Sequence, residues 1–419
     1  MPAMILCLCL ATCVSIAMAD EPYWPRFTGP DGTNVSKDQG LLNSWPEGGP
    51  ELVWKTNGIG DGFATVTLAD GRIFTAGNID DKMMVTAMDL DGKILWQKPN
   101  GAAYKRSYAG ARGTPTIDGD RVYHESPTGQ VTCFNAADGK EIWTKNILKD
   151  FGAKNITWAL AESVLVDGDH LIVTPGGPQT AVVALDKKTG DVVWKSGPSV
   201  NEGGKADLAN YATATLAKFG KTRIILTMSQ KALIGVNADT GKLLFRFPHE
   251  TKYFINATKP VYHDGQICIS SGYGTIGTVM LKLKGQGDKI SVEKIGVSED
   301  LDNQHGGLVL YDGYIYGSSH KFNDGAWICL NWKNGKTMYT EKGIGQGSLT
   351  VADGKLYLFA EKRRKVALVK ATPKGYEEIS QFTLPNLGEG TTWAYPVVVG
   401  GRLYLRHGDY LFAYDVRGK

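Results

Sequence analysis

Twelve side chains in this sequence are of types that bind ligands and fall at corresponding places along the chain: Arg112, Trp158, Glu162, Tyr211, Asn256, Gln304, His305, His320, Gln346, Trp393, Tyr395 and Arg406. Guanidinium, imidazole, amide and carboxyl groups beside large aromatic rings are what concave sites use to orient and stack on a bound molecule. The same groups can also plug a channel by bonding to one another or to water. In that second arrangement Arg112 and Glu162 are natural partners.

No catalytic or metal signature accompanies them. His124, His305, His320 and His407 come from different segments, and no short H-x-x-x-H pair is present, so no metal site is expected. Gly272-Tyr-Gly274-Thr-Ile-Gly277 matches G-x-G-x-x-G, but a strand rather than a helix should follow it, which makes it a hairpin loop. Cys133, Cys268 and Cys329 are scattered over different units and read as buried free thiols. Glu361-Lys362-Arg363-Arg364-Lys365 reads as a solvated hairpin tip. A net charge of +3 over 419 residues gives no broad reason to expect nucleic acid as a partner.

The positioning elements are strands. From Gly113 to Lys145 the chain shows four short runs rich in Val, Ile, Tyr, Phe and Trp, separated by Asp118-Gly119, a Pro/Gly loop and Asp138-Gly139. Such a four-stranded sheet leaves apolar faces in water unless copies of it stack on either side. Asp-Gly turns recur at Asp70, Asp118, Asp167, Asp264, Asp312 and Asp353, with weaker equivalents at Phe219-Gly220 and Gly400-Gly401. The ending strand recurs as GKILWQK, GKEIWTK, GDVVWKS, GKLLFRF and GKTMYTE. Eight all-strand units of about 40–50 residues predict an all-β, eight-bladed propeller. Asp-Gly and Gly-Lys turns then share one face. The loops entering each first strand, and those joining second to third, share the other, and all twelve candidates belong to this second face. The first strand is innermost, so residues just before it converge on the axis.

The ends complete the picture. Residues 1–19 contain no charged side chain and end Ala17-Met18-Ala19, which predicts a secretory signal peptide cleaved after Ala19. Residues 20–50 are an irregular lead-in, and 51–419 hold the propeller. Residues 51–56 form a last-strand motif with no unit before it, while the final unit lacks its fourth strand. The orphan strand therefore completes the last blade, with Trp54 as a buried aromatic, and leaves no open sheet edge. No transmembrane segment is expected after residue 19, and a monomer is.

The GK-x-x-W strand, the apolar-Asp-Gly turn and the eight-fold count resemble the PQQ-like β-propeller repeat family. That family includes quinoprotein alcohol dehydrogenases and the outer-membrane assembly lipoprotein propeller. Trp24-Pro25-Arg26-Phe27-Thr28-Gly29-Pro30 looks like the opening of its secreted single-domain members. The resemblance implies the fold and leaves the activity open. Its enzymes set the quinone between a vicinal Cys-Cys disulfide and a Trp, with calcium held by carboxylate and amide oxygens. Here no adjacent cysteines follow residue 19, no calcium ligand set can be matched, and no C-x-x-C-H haem motif exists. The expectation is a periplasmic or secreted module, without a cofactor, that binds a protein, peptide or carbohydrate on its loop-rich axial face. The alternative is an oxidoreductase acting on an alcohol or sugar with PQQ and calcium.

Overall fold

The computed structural model describes residues 21–273, 276–385 and 392–418. The candidate signal peptide lies outside them. Strands fall into eight antiparallel sheets of four, each in simple up-and-down order. Blade 2 is typical, with Thr116–Asp118 innermost, then Arg121–Glu125, Gln130–Asn135 and Glu141–Asn146. The two helical pieces, Ile147–Asp150 and Gly287–Lys289, are single turns. No helix among the described residues is long and apolar enough to cross a membrane.

The repeated residues explain the repeated geometry. Asp70, Asp264, Asp312 and Asp353 all have positive φ, and each is followed by a glycine with positive φ. Two left-handed residues in a row give the tight hairpin whose twist matches that of the flanking strands. The pairing of third with fourth strand carries a bulge beside the repeated aromatic, as at Cys133/Phe134 and Ala184/Leu185. Each Trp then reaches the next blade. Trp96, Trp143 and Trp194 donate through Nε1 to Ala136, Lys187 and Ala238 carbonyls at 3.1 Å. They also cover the turn glycine of that blade: a Cβ on Gly139, Gly190 or Gly241 would stand 2.6–2.8 Å from the ring. The G-K-x-x-W pattern is thus one half of an inter-blade contact, with its glycine seating the tryptophan of the blade before.

Ring closure follows the expected route. Glu51–Thr56 pairs with Tyr410–Asp415 and completes the sheet begun by Val397–Val399 and Arg402–His407. Trp54 docks on blade 1 like its counterparts, donating to the Leu90 carbonyl at 2.8 Å and covering Gly92. It is half-buried and not a core residue, unlike Trp96, Trp143 and Trp194, which are buried at the same position of their blades.

The lead-in is ordered and does more than precede the ring. Trp24 bridges to Leu68 on the innermost strand of blade 1, and Val35 bridges to Val351 on that of blade 7. Between them the chain enters the central channel from the Asp-Gly face and sets Phe27 against Tyr395, ring centres 4.6 Å apart. It then runs outward under blades 7 and 8, where Trp45 packs on Tyr357 and Phe382.

Candidate functional site

Above Phe27 the axis opens into a cavity of about 670 Å³ on the loop-rich face. Its wall is an arc of rings. Phe63 and Tyr108 flank Trp393 at 4.5 and 5.0 Å, and His305 stacks on the same indole at 4.2 Å. His320 lies 5.6 Å from His305, and Tyr273 and Tyr253 extend the arc. Tyr108 is 53% exposed and Tyr253 47%, so both present ring faces to whatever enters. Backbone geometry marks these loops as well. Tyr108, Phe254 and Tyr273 have φ of +57°, +57° and +74°. Bulky side chains rarely adopt such values, which cost on the order of 1–3 kcal/mol and cluster at functional sites.

The polar groups divide between two sides. On one, the Arg112 guanidinium lies 4.4 Å over the Tyr104 ring and donates to the Gly110 and Tyr108 carbonyls. It has no carboxylate partner among the described residues, and burial pulls its pKa below the ordinary guanidinium value. On the other, Gln346 Nε2 donates to Glu361 Oε2 at 2.8 Å and contacts His320 Nε2 at 3.0 Å. Burial and the neighbouring His320 pull His305 down to about 3, so it is a neutral ring at physiological pH. An unpaired cation faces this acidic, imidazole-bearing wall across an aromatic slot. Such a site can stack flat groups, bind a carboxylate at the guanidinium on one side and accept hydrogen bonds from a donor group on the other.

Of the twelve candidates, Arg112, Trp158, Tyr211, Gln304, His305, His320, Gln346, Trp393 and Tyr395 line this cavity. The other three stand behind its wall. Arg406 is 2% exposed and donates to the Gly60, Ala64 and Ala76 carbonyls and Thr75 Oγ1, so it staples blade 8 to blade 1. Asn256 bonds the Ser229, Gln230 and His249 carbonyls, which spends its amide on the scaffold. Glu162 accepts from the Thr174 amide and hydroxyl, not from Arg112. Its other oxygen and both oxygens of Glu125 are buried without partners. Burial, and for Glu125 the neighbouring Glu162 charge, raise both carboxyls well above the usual range.

Several lining residues escaped the sequence reading. Phe27 comes from the lead-in, whose path nothing in the repeat pattern reveals. Glu361 and Lys362 open the basic run assigned to a solvated tip; Glu361 is buried against Gln346, and only the following residues reach solvent. Cys133, Cys268 and Cys329 are buried and free as expected.

A family model described as "Outer membrane protein assembly factor BamB" matches residues 26–157 and 81–341. The chain belongs to this family. It is 24% identical over 264 residues to the protein of that name from Moranella endobia, and 27% identical over 327 residues to that from Salmonella typhimurium. The alignments cover 61% and 73% of this chain, and 63% and 76% of those relatives' own lengths. The crystal structure of BamB from Moraxella catarrhalis superimposes over 88% of this chain and 98% of its own, with a TM-score of 0.59 at 16% identity. The quinohemoprotein alcohol dehydrogenase from Comamonas testosteroni covers 95% of this chain and 81% of its own, with a TM-score of 0.63 at 13% identity. At these identities the structural likeness concerns the fold.

The second neighbour raises the question of whether this mouth suits a quinone held with calcium. The donors present do not fit one. The three described cysteines are buried within the blades and none lines the mouth, so no vicinal pair can back a quinone. Among the described residues the mouth carboxylates are Glu361, bonded to Gln346, and Asp324, paired with Arg363 at 2.9 Å. No group of three or more metal-binding side chains occurs among the described residues.

Proposed function

We propose that this propeller is an extracytoplasmic binding module that grips a segment of a partner protein in its aromatic mouth, with an acidic group of that segment against Arg112. The observation that carries this reading is the cost invested in the mouth: Tyr108 and Tyr273 sit on left-handed backbone while presenting their rings around the axis. Aromatic residues and arginine dominate protein-recognition hot spots, since they offer large rigid contact area and a planar cation. The name of the relatives, an assembly factor, agrees with an interaction role. The uncharged first nineteen residues support a location outside the cytoplasm.

Display of random peptides against the mature protein tests the proposal. Selected peptides are expected to carry an acidic residue near an aromatic one, and to lose at least tenfold in affinity on Trp393→Ala and on Arg112→Ala. Selection of glycans on an array with no peptide binding overturns the choice of ligand. Dye-linked alcohol oxidation after addition of PQQ and calcium, abolished by Trp393→Ala, overturns the non-enzymatic reading altogether.

A further inference from the structure

A second cavity, of about 790 Å³, lies on the opposite face, where the lead-in fills only part of the channel. The innermost strands explain why it is chemically distinct. Around part of the axis, at three successive blades, a hydroxyl accepts the backbone amide of the blade before. Thr65 N donates to Thr114 Oγ1 at 3.1 Å, Thr114 N to Ser163 Oγ at 2.9 Å, and Ser163 N to Thr213 Oγ1 at 3.0 Å. A second tier ties Thr116 Oγ1 to the Val164 carbonyl and, two blades on, Thr215 Oγ1 to the Pro260 carbonyl. The register of that second tier puts Lys259 in the place of the hydroxyl. At Lys259 the small neutral group of the three preceding blades is exchanged for a long cation that lines the cavity.

That cation has no acidic partner. Lys259 Nζ donates to the Gly32 carbonyl of the lead-in at 2.7 Å. The charged group that most influences it is another cation, Arg26, and with burial this pulls its pKa down to about 7. Arg26 itself lines the same cavity and makes no ion pair among the described residues. Of the acidic lining groups, Asp31 pairs with Lys37 at 3.0 Å, and Asp312, at the turn after its innermost strand, forms no ion pair with Lys259 or Arg26. Two like charges held in one recess are unfavourable unless something negative joins them. One stretch of the remaining wall is apolar, formed by Leu165, Leu216, Val261, Leu308 and Trp332, and the rest carries polar groups such as Thr116, Thr215, His263, Asn331 and Lys333. Leu216 is 38% exposed there, so apolar surface waits uncovered beside the cations.

We propose that this cavity is a second binding site, for a small amphipathic anion whose carboxylate or phosphate head sits between Lys259 and Arg26 and whose apolar body lies along Leu165, Leu216 and Trp332. The site lies on the other side of Phe27 from the mouth and does not rest on the function proposed for it.

Titration calorimetry on the mature protein tests this with octanoate, octyl phosphate, inorganic phosphate and octanol. Octanoate or octyl phosphate should bind one to one, at least tenfold tighter than inorganic phosphate, with octanol giving no heat. Lys259→Met and Arg26→Gln, each confirmed folded by circular dichroism, should each weaken binding tenfold or more, and Trp393→Ala should leave it within twofold. Absence of binding by both amphiphiles, equal binding of octanol, unchanged affinity in both cavity variants, or loss of affinity in Trp393→Ala overturns the proposal. Inorganic phosphate binding as tightly as octyl phosphate overturns the amphipathic assignment.

Discussion

Arg406→Met separates scaffold from site most cleanly. The guanidinium is buried and reaches three carbonyls and a hydroxyl of blade 1, besides the Gly408 carbonyl of its own blade. Methionine fills much of the space but donates nothing, so several buried acceptors lose their partner. Each orphaned acceptor costs about 1–3 kcal/mol, partly relieved because carbonyls keep other bonds. Summed over the five acceptors and discounted for the bonds they keep, the loss expected here is about 3–5 kcal/mol. Unfolding entropy of about 2 cal/mol/K per residue makes 1 kcal/mol worth roughly 1 °C in a ring of this size, hence a fall in Tm of about 3–6 °C. Urea titration followed by tryptophan fluorescence should show the same loss as a lower midpoint. Arg112→Met is the companion: a half-exposed cation bonded to carbonyls of its own loop, expected to change stability by no more than about 1 kcal/mol. A wild-type midpoint for Arg406→Met, or equal losses in both variants, would refute the division between staple and site.

Three further outcomes follow. The Glu125–Glu162 pair has raised folded pKa values, so the native state holds protons that the unfolded chain releases above about 4.5; its contribution to stability falls as pH rises through that value. Glu162→Gln, whose amide oxygen still accepts from Thr174, should flatten the dependence of the urea midpoint between pH 5 and 8. His124 and His249 are pulled down to about 4 by burial, so they act in the opposite sense: stability is lost as pH falls from 6.5 towards 4, and His249→Gln should lessen that acid loss in the same titration. Deleting residues 21–56 removes both the axial plug and the closing strand and exposes the edge of Tyr410–Asp415; size-exclusion chromatography should show aggregates in place of the wild-type peak.

The repeat made the ring legible because its signals are local: a turn needs Asp-Gly within two residues, and an inter-blade contact needs a glycine and a tryptophan at fixed spacing. Axial direction was legible in part, since most residues chosen before innermost strands line the mouth, while Glu162 and Asn256 turn back into the scaffold. What spacing could not tell was depth. Arg406 and Arg112 both belong to the loop-rich face, yet one is ringed by carbonyls of blade 1 and the other rests on an open tyrosine. That difference depends on the course of Gly60–Ala64 past blade 8, a contact between residues more than 300 positions apart. Phe27, Glu361 and Lys259 were missed for related reasons. The lead-in carries no periodicity, Glu361 is disguised by the basic residues after it, and Lys259 stands out only once the hydroxyl tier of the other blades is visible.

The lead-in also constrains when this molecule can become itself. Asn34 bonds the Leu349 carbonyl, Leu41 the Asp353 side chain, and Glu51–Thr56 the strand at Tyr410–Asp415. All three partners leave the ribosome long after the segment that needs them, so the early chain must wait, unpaired, through the synthesis of seven blades. Contacts of such long sequence separation form late and slowly. A ring sealed by its earliest strand therefore stays an open, threadable chain until synthesis is nearly finished, which would suit the extracytoplasmic location proposed above.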